Sequence, residues 1–334
     1  MADRPRKVGL AATASDHLLK CAADLPLFRI AGGQPSRADT TRQPSKASSQ
    51  MVQDFAALDR EAEQIVKDIG IPPCPAILTR LLREMREDEP DMQKIGKLIG
   101  SDVGLAAAML KTVNSPFYGL RNKASSVMQA LVLLGLRNVG QLVTGLLLRQ
   151  AFPVADNEQM EDFWESSSRT AMYSAHLAGK VRGVSRDDAY TFGLFRDCAV
   201  PLMMRKFRDY YEMHAAAGQA PDKSVTEVEQ ELYAVDHTRV GWQLANSWEL
   251  PEGTCQAILH HHDYARVFVE EVEELPGHAV KLIAVALVAE QLFRSLSAGT
   301  PCPEWKKAGA QALEALGMSE GDLKEAAVEV GRLT

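Results

Sequence analysis

Apolar residues recur every three or four positions along most of the chain, which is the spacing of one face of an α-helix. One such stripe covers residues 52–69 and stops at Gly70, a second covers residues 77–85, and a third covers residues 136–147. No segment alternates strongly between apolar and polar residues, and no repeat of fixed period is present. The pattern therefore predicts an all-α protein with at least ten helices.

Capping residues indicate where several of these helices begin. Asp91 and Ser101 precede two helices of the first half, and Ser126 and Ser224 each have Gln or Glu three positions later, as in a capping box. The later part of the chain predicts eight helices, at residues 160–182, 186–206, 224–234, 237–248, 251–262, 277–297, 303–316 and 319–331.

The first fifty residues differ from the helical body that follows them. Alanine is the only apolar residue type within residues 33–50, so we expect a flexible linker there. Ahead of it, residues 10–25 carry apolar side chains at helical spacing, which predicts a short amphipathic helix. That helix is a candidate for docking on a partner or on the protein's own body. We therefore treat residues 1–50 as a separate N-terminal segment.

Composition and charge narrow the class of protein. The chain has 334 residues, of which 46% are apolar and 24% are charged, as expected of a globular protein. The sequence shows no apolar stretch of about 20 residues that could cross a bilayer and no apolar run typical of a secretory leader, so we expect neither feature and a cytoplasmic location. Residues 1–50 carry eight Lys or Arg and four Asp or Glu, which gives that segment a net charge of +4. The whole chain has a net charge of −7, so residues 51–334 carry −11. An acidic body makes nucleic-acid binding unfavourable.

Histidines are concentrated in one part of the sequence. Five of the eight lie between residues 214 and 262, and these include His237 and a triplet at residues 260–262. Within its predicted helix His237 shares a face with Leu244, so its ring is expected to point to the core, as a satisfied core residue or as a metal ligand. Consecutive side chains of a helix point about 100° apart, so at most two of the triplet can converge on one site.

Several segments resemble, in order, the HDOD family, whose members are bacterial signalling modules related to the HD metal-dependent phosphohydrolases. The segments similar to the N-terminal helical half of that family are IPPCPAILTRLL (71–82), SDVGLAAAMLKTVNSPFYGL (101–120) and ALVLLGLRNVGQLV (130–143). The segments similar to its HD-related half are FWESSSRTA (163–171), AYTFGLFRD (189–197), AVDHTRVGWQLANSWELP (234–251) and AILHHHDY (257–264). The resemblance implies a helical subdomain at residues 51–155 packed on an HD-like subdomain at residues 156–297, with C-terminal helices at residues 298–334.

The same resemblance shows where this chain departs from the active enzymes. Those enzymes hold one or two metals with a histidine on an early helix, a His-Asp doublet, further histidines and a late aspartate. Here the early position falls at Ser166 or Ser167, the doublet has become Arg196-Asp197, and Glu290 is the only carboxylate near the late position. Arginine keeps its charge and has no lone pair for a metal, so it cannot replace the histidine.

Asp197, His237, His261 and His262 remain as candidate ligands of a residual divalent metal, and no other cofactor is expected. Arg196 could join the histidines in an anion-binding pocket for a phosphorylated ligand, or it could form a structural pair with Asp197. We therefore expect a noncatalytic signalling module whose partners are other signalling proteins or a small phosphorylated ligand. The alternative is a metal-dependent phosphohydrolase or phosphodiesterase that acts on a nucleotide. A DNA-binding regulator has the least support, because no helix pair shows a basic recognition face.

Overall fold

The computed structural model describes residues 63–114, 120–152, 158–217, 223–269, 275–297, 299 and 302–332. These residues are predominantly helical and include no strand, which confirms the all-α prediction. A helical segment at residues 63–69 precedes α1 (Ala76–Met85), α2 (Met92–Gly100), α3 (Val103–Val113), α4 (Val127–Leu134), α5 (Leu136–Ala151), α6 (Glu158–Ala178), α7 (Arg186–Phe195), α8 (Val200–Lys206), α9 (Tyr210–Ala217), α10 (Val225–Tyr233), α11 (His237–Ser247), α12 (Glu252–His260), α13 (Tyr264–Phe268), α14 (Gly277–Ser297), α15 (Pro303–Leu316) and α16 (Glu320–Val330).

Two predicted features lie outside the residues that the structure describes. They are the linker at residues 33–50 and the amphipathic helix at residues 10–25. Within the described ranges, no helix combines the length and the apolar character needed to cross a bilayer.

Helices α1–α5 pack around an apolar core formed by the stripes seen in the sequence. Its fully buried members include Leu78, Leu81, Ile95, Ile99, Leu105, Met109, Leu131, Val139, Val143 and Leu148. Asp91 caps α2 and Ser126 caps α4, as predicted. The predicted start of α3 at Ser101 is wrong by one residue, because the Asp102 carboxylate caps that helix while the Ser101 hydroxyl donates to the carbonyl of Leu98.

Helices α6 and α14 form the centre of the later half. Both have 21 residues, and α6 packs against α7 and α14. Every side chain from Leu282 to Ala289 is buried, so α14 is covered on all sides by other helices. The observed α14 has the predicted bounds, whereas α6 ends at Ala178 and not at residue 182. Several helices of the later half therefore pack on the buried part of α14.

The predicted single helix at residues 186–206 is wrong, and its interruption shapes the later half. Helix α7 ends at Phe195, α8 begins at Val200, and a turn separates them. In a continuous helix Pro201 would have no N–H to donate, and its ring would collide with the carbonyl of Asp197. The predicted helix at residues 251–262 is also too long, because α12 ends at His260. Both breaks place candidate site residues in turns.

Aromatic contacts join the first five helices to the later ones. The indole nitrogen of Trp248 donates to the carbonyl of Pro72 at 2.9 Å. The ring of Phe152, at the end of α5, lies 5.8 Å from that of Trp164 and 6.4 Å from that of Trp248, between ring centroids. These buried contacts combine a large apolar area with a hydrogen bond for the indole, so they fix the two sets of helices against each other.

A close contact between α6 and α7 at Gly193 gives a test of the helix packing. A Cβ added at Gly193 would lie 2.8 Å from the Cα of Ala171, so Gly193→Ala should force the helices apart and lower the free energy of unfolding by about 1–3 kcal/mol. Urea denaturation measures the change. The matched control is Gly145→Ala in α5, whose added Cβ would meet nothing closer than 3.6 Å and should leave stability unchanged or raise it by up to about 1 kcal/mol. Equal effects of the two substitutions would contradict the packing.

Candidate metal centre

Four of the candidate site residues converge in the later half of the fold. Asp197 lies in the turn after α7, His237 is the first residue of α11, and His261 and His262 follow the last residue of α12. One potential ligand atom from each of the four lies within 4.8 Å of the other three. His260 points elsewhere, so two of the three consecutive histidines reach the cluster. The cluster thus assembles residues from three separate helix ends.

The distances within this cluster suit a metal ion. Asp197 Oδ1 lies 3.1 Å from His261 Nε2 and 3.6 Å from His237 Nε2. Ligands about 2.0–2.1 Å from a tetrahedral zinc would lie about 3.3 Å from each other, close to both values. His237 is fully buried, and its Nε2 has no hydrogen-bond partner among the described atoms. A buried polar atom without a partner is costly, and a cation would satisfy it.

The Nδ1 atom of each of the three histidines faces an acceptor that is not one of the four candidate ligands. Those acceptors are a Glu229 carboxylate oxygen 2.8 Å from His237 Nδ1, the Ile258 carbonyl oxygen 2.8 Å from His261 Nδ1, and a Glu304 carboxylate oxygen 3.4 Å from His262 Nδ1. A carbonyl or an ionised carboxylate can only accept, so each ring would carry its proton on Nδ1 when a cation occupies the other nitrogen. This pattern is typical of histidines that bind metals through the remaining nitrogen.

Glu229 is the residue on which the orientation of His237 depends. It is completely buried in α10, and it accepts hydrogen bonds from the backbone N–H of His237 at 2.9 Å and from the Tyr210 hydroxyl. Burial raises the pKa of Glu229, but the charge and hydrogen bonds of His237 and the Tyr210 bond lower it to about 2. Glu229 therefore remains ionised and holds the His237 ring in place.

The carboxylates Glu229 and Asp197 favour a positive charge next to His237. Burial alone would lower the pKa of His237, but Glu229 and Asp197 raise it to about 9. Burial and the neighbouring His262 lower the pKa of His261 to about 4. At neutral pH the carboxylates thus hold a proton on His237, and a metal would displace that proton on binding. The residues present therefore fit a divalent cation.

Arg196 is held by two carboxylates at the edge of the cluster. Its Nε lies 3.0 Å from Asp197 Oδ2, and its Nη2 lies 3.0 Å from Glu290 Oε2 of α14. Burial lowers the pKa of Arg196, but the two carboxylates outweigh that effect and raise it. Burial raises the pKa of Asp197, but Arg196 outweighs that effect and holds the pKa well below its usual range. The guanidinium therefore takes one oxygen of Asp197 and leaves Oδ1 for the histidines.

A cleft of about 480 Å³ opens beside the cluster and Arg196. Ser166 of α6 lines this cleft together with Arg196, Asp197 and His262. Ser167 is buried and is not part of the lining, so Ser166 is the early-helix position that faces the site. A serine hydroxyl is a poor metal ligand compared with imidazole or carboxylate, so the wall at this position offers the cluster no further strong ligand.

Among the residues around the site that were missed by sequence reasoning, Glu229 and Glu304 are the two that orient histidines of the cluster. Glu229 lies four positions after Val225, on the face of α10 that the structure buries, and a carboxylate on such a face is a usable signal. Glu304 follows Pro303 at the start of α15, where an acidic residue is ordinary, so its sequence position gave no signal.

The ion pair of Arg196 can be tested by stability measurements in the presence of a chelator. Arg196→Ala leaves Asp197 and Glu290 without their buried counter-charge and should lower the free energy of unfolding by about 3–5 kcal/mol. Arg294→Ala is the control, because Arg294 pairs with the same Glu290 but is 43% exposed, and its loss should cost at most about 1 kcal/mol. Similar losses in urea denaturation would show that Arg196 is not a buried counter-charge.

Solved structures with a similar fold come from several bacteria. A proposed phosphohydrolase from Shewanella amazonensis SB2B is 21% identical, with a TM-score of 0.62 over 82% of this chain and 94% of that one. An HDOD domain protein of unknown function from Geobacter sulfurreducens is 19% identical, with a TM-score of 0.61 over 84% of this chain and 99% of that one. A proposed signal-transduction protein from Marinobacter aquaeolei VT8 is 19% identical, with a TM-score of 0.65 over 83% of this chain and 63% of that one. At these identities the likeness concerns the fold alone.

Sequence comparison gives the family directly. An uncharacterised protein of Treponema pallidum (strain Nichols) is 25% identical over 240 residues, which cover 69% of this chain and 44% of that protein. The chain thus spans less than half the length of this relative. The model of the HDOD domain matches residues 71–264, which is more than half of the chain. The protein therefore belongs to the HDOD family.

Proposed function

We propose that this chain is a noncatalytic signal-transduction module that retains one divalent-cation site and acts through contacts with protein partners or a small ligand. The position of Arg196 carries the proposal. Where the related active enzymes have the histidine of a His-Asp doublet, this chain has a guanidinium 3.0 Å from Asp197 Oδ2. The guanidinium offers no lone pair to a metal, so it supplies no ligand itself. It also pairs with Asp197 Oδ2, so that oxygen is not available as a ligand.

The number of remaining ligands also favours a structural or sensing role. Asp197, His237, His261 and His262 would hold the cation. A bound divalent cation supplies a Lewis-acidic centre that can polarise water or a phosphoryl oxygen. Structural zinc sites have four protein ligands, whereas catalytic sites have three and leave a position open for water. Four protein ligands on this chain therefore favour a closed site that organises the ends of three helices.

The charges around the cleft support protein contacts over a phosphorylated ligand. The arginines that line it, Arg196 and Arg294, both pair with Glu290, each at 3.0 Å. Asp162 and Glu165 line the same cleft. A phosphate needs unopposed positive charge or several free donors, and here the guanidinium charges are already balanced.

The alternative function is that of a metal-dependent phosphohydrolase acting on a nucleotide. The observation in its favour is that the four ligands lie beside an open cleft large enough for a small molecule. A metal that prefers six ligands, such as manganese, would keep positions for water beyond the four that the protein supplies. The identity of the bound metal therefore distinguishes the two functions.

Metal analysis and an assay for phosphoester hydrolysis test the proposal. Protein purified without chelator should contain about one equivalent of divalent metal, and His237→Ala should lose most of it because a buried ligand is removed. His260→Ala is the control, because that histidine lies outside the cluster. Bis(4-nitrophenyl) phosphate in manganese should show no turnover above background. Turnover that disappears in His237→Ala and persists in His260→Ala would establish the hydrolase instead.

Binding of phosphate compounds tests the choice of ligand. Isothermal titration of inorganic phosphate and of a nucleoside monophosphate should give no saturable binding at millimolar concentration, because Asp197 and Glu290 already balance Arg196. The two titrations should look the same with Arg196→Ala, once circular dichroism has shown that this variant is folded. Saturable binding by the wild type that Arg196→Ala abolishes would favour a phosphorylated ligand.

A further inference from the structure

Helix α15 contributes a residue to the site from outside the matched family segment. The HDOD model ends at residue 264, whereas Glu304 lies in the first turn of α15. Its Oε2 accepts from His262 Nδ1 at 3.4 Å, and the side chain lines the cleft beside the cluster. The C-terminal helices therefore take part in the construction of the site.

Glu304 is a buried carboxylate whose hydrogen bonds all come from nearby side chains. Besides His262, it accepts from Lys307 Nζ at 3.0 Å and from the Tyr264 hydroxyl. Burial raises the pKa of Glu304, but the His262, Lys307 and Tyr264 contacts lower it well below its ordinary value. An ionised acceptor in this place keeps the proton of His262 on Nδ1 and leaves the opposite ring nitrogen as a ligand.

The docking of α15 depends on the same neighbourhood. Helix α15 packs on α13 and α14 through a second apolar cluster, and it also contributes Leu313 to the main core. Its buried members are Ala284, Leu287, Ala308 and Ala312, with Tyr264, Phe268 and Trp305 packed against them. Tyr264 thus belongs to this cluster and also donates to Glu304. Any displacement of α15 would take Glu304 away from His262.

We propose that Glu304 is a positioning residue for the cation site, and that it couples cation binding to the docking of α15. This inference rests on the proposed function, because it requires that the four ligands bind a cation. If the cation binds more tightly when Glu304 orients His262, docking of α15 raises the affinity for the cation. By linkage, cation binding then stabilises the docked helix by the same free energy. Helix α15 then reports the occupancy of the site to whatever contacts it.

The test measures zinc binding and hydrogen exchange on the full chain. Glu304→Gln keeps the shape of the side chain and removes its charge, so the dissociation constant for Zn²⁺ should rise about 10–100-fold. Zinc should slow amide exchange in residues 303–316 of the wild type and have little effect on them in Glu304→Gln. The matched control is Glu314→Gln on the same helix, which is exposed and should behave as the wild type does in both measurements. Glu304→Asp retains the charge on a shorter side chain and should show an intermediate loss of affinity.

The outcomes separate this inference from the proposed function. Wild-type protein that binds no zinc would refute the cation site, and the coupling with it. Wild-type protein that binds zinc with the same affinity as Glu304→Gln, or as Glu304→Asp if the glutamine variant does not fold, would refute the coupling alone. A protection of α15 by zinc that persists in Glu304→Gln would also refute it.

Discussion

The later half of the protein depends on how one carboxylate divides its two oxygens. Asp197 Oδ2 lies 3.0 Å from Arg196, while Oδ1 faces His261 at 3.1 Å and His237 at 3.6 Å. This division exists because the chain leaves α7 at Arg196 and Pro201 prevents the helix from continuing. The ends of α11 and α12 and the middle of α14 meet the same carboxylate or its guanidinium partner. A buried charge is stable only when it is paired with an opposite charge. These segments must therefore pack so that Asp197 keeps its contacts with Arg196 and with the two histidines.

Much of this arrangement could be predicted from sequence. The helical periodicity identified the helices around both cores, and the bounds of α14 follow from it without error. The resemblance to the HDOD family brought Asp197, His237, His261 and His262 together, and the structure places all four in one cluster. The motifs that carry these four residues lie at helix ends, and this fold brings those helix ends together.

The rest could not be predicted, because it depends on contacts between segments far apart in the chain. Glu304 lies 42 positions from the histidine that it orients, and nothing in the sequence of its own helix indicates that contact. The break at residues 196–199 was missed because apolar spacing continues across it, although Pro201 was a local signal. Helix α9 was missed because its eight residues show little difference between faces. It nevertheless supplies Tyr210, which donates to the buried Glu229.

Arg196 stands where the resemblance implies a histidine in the active enzymes, and the two side chains differ in more than their ability to bind a metal. A neutral imidazole would add a lone pair and no charge, whereas the guanidinium places a permanent positive charge between Asp197 and Glu290. With a neutral imidazole at position 196, Asp197 would depend on a bound metal or a protonated histidine for its counter-charge. Here a covalently attached cation balances Asp197 and Glu290 whether or not a metal is present. The residue that offers no lone pair thus keeps Asp197 and Glu290 paired, and under the proposed coupling the change on cation binding falls on α15 and not on this ion pair.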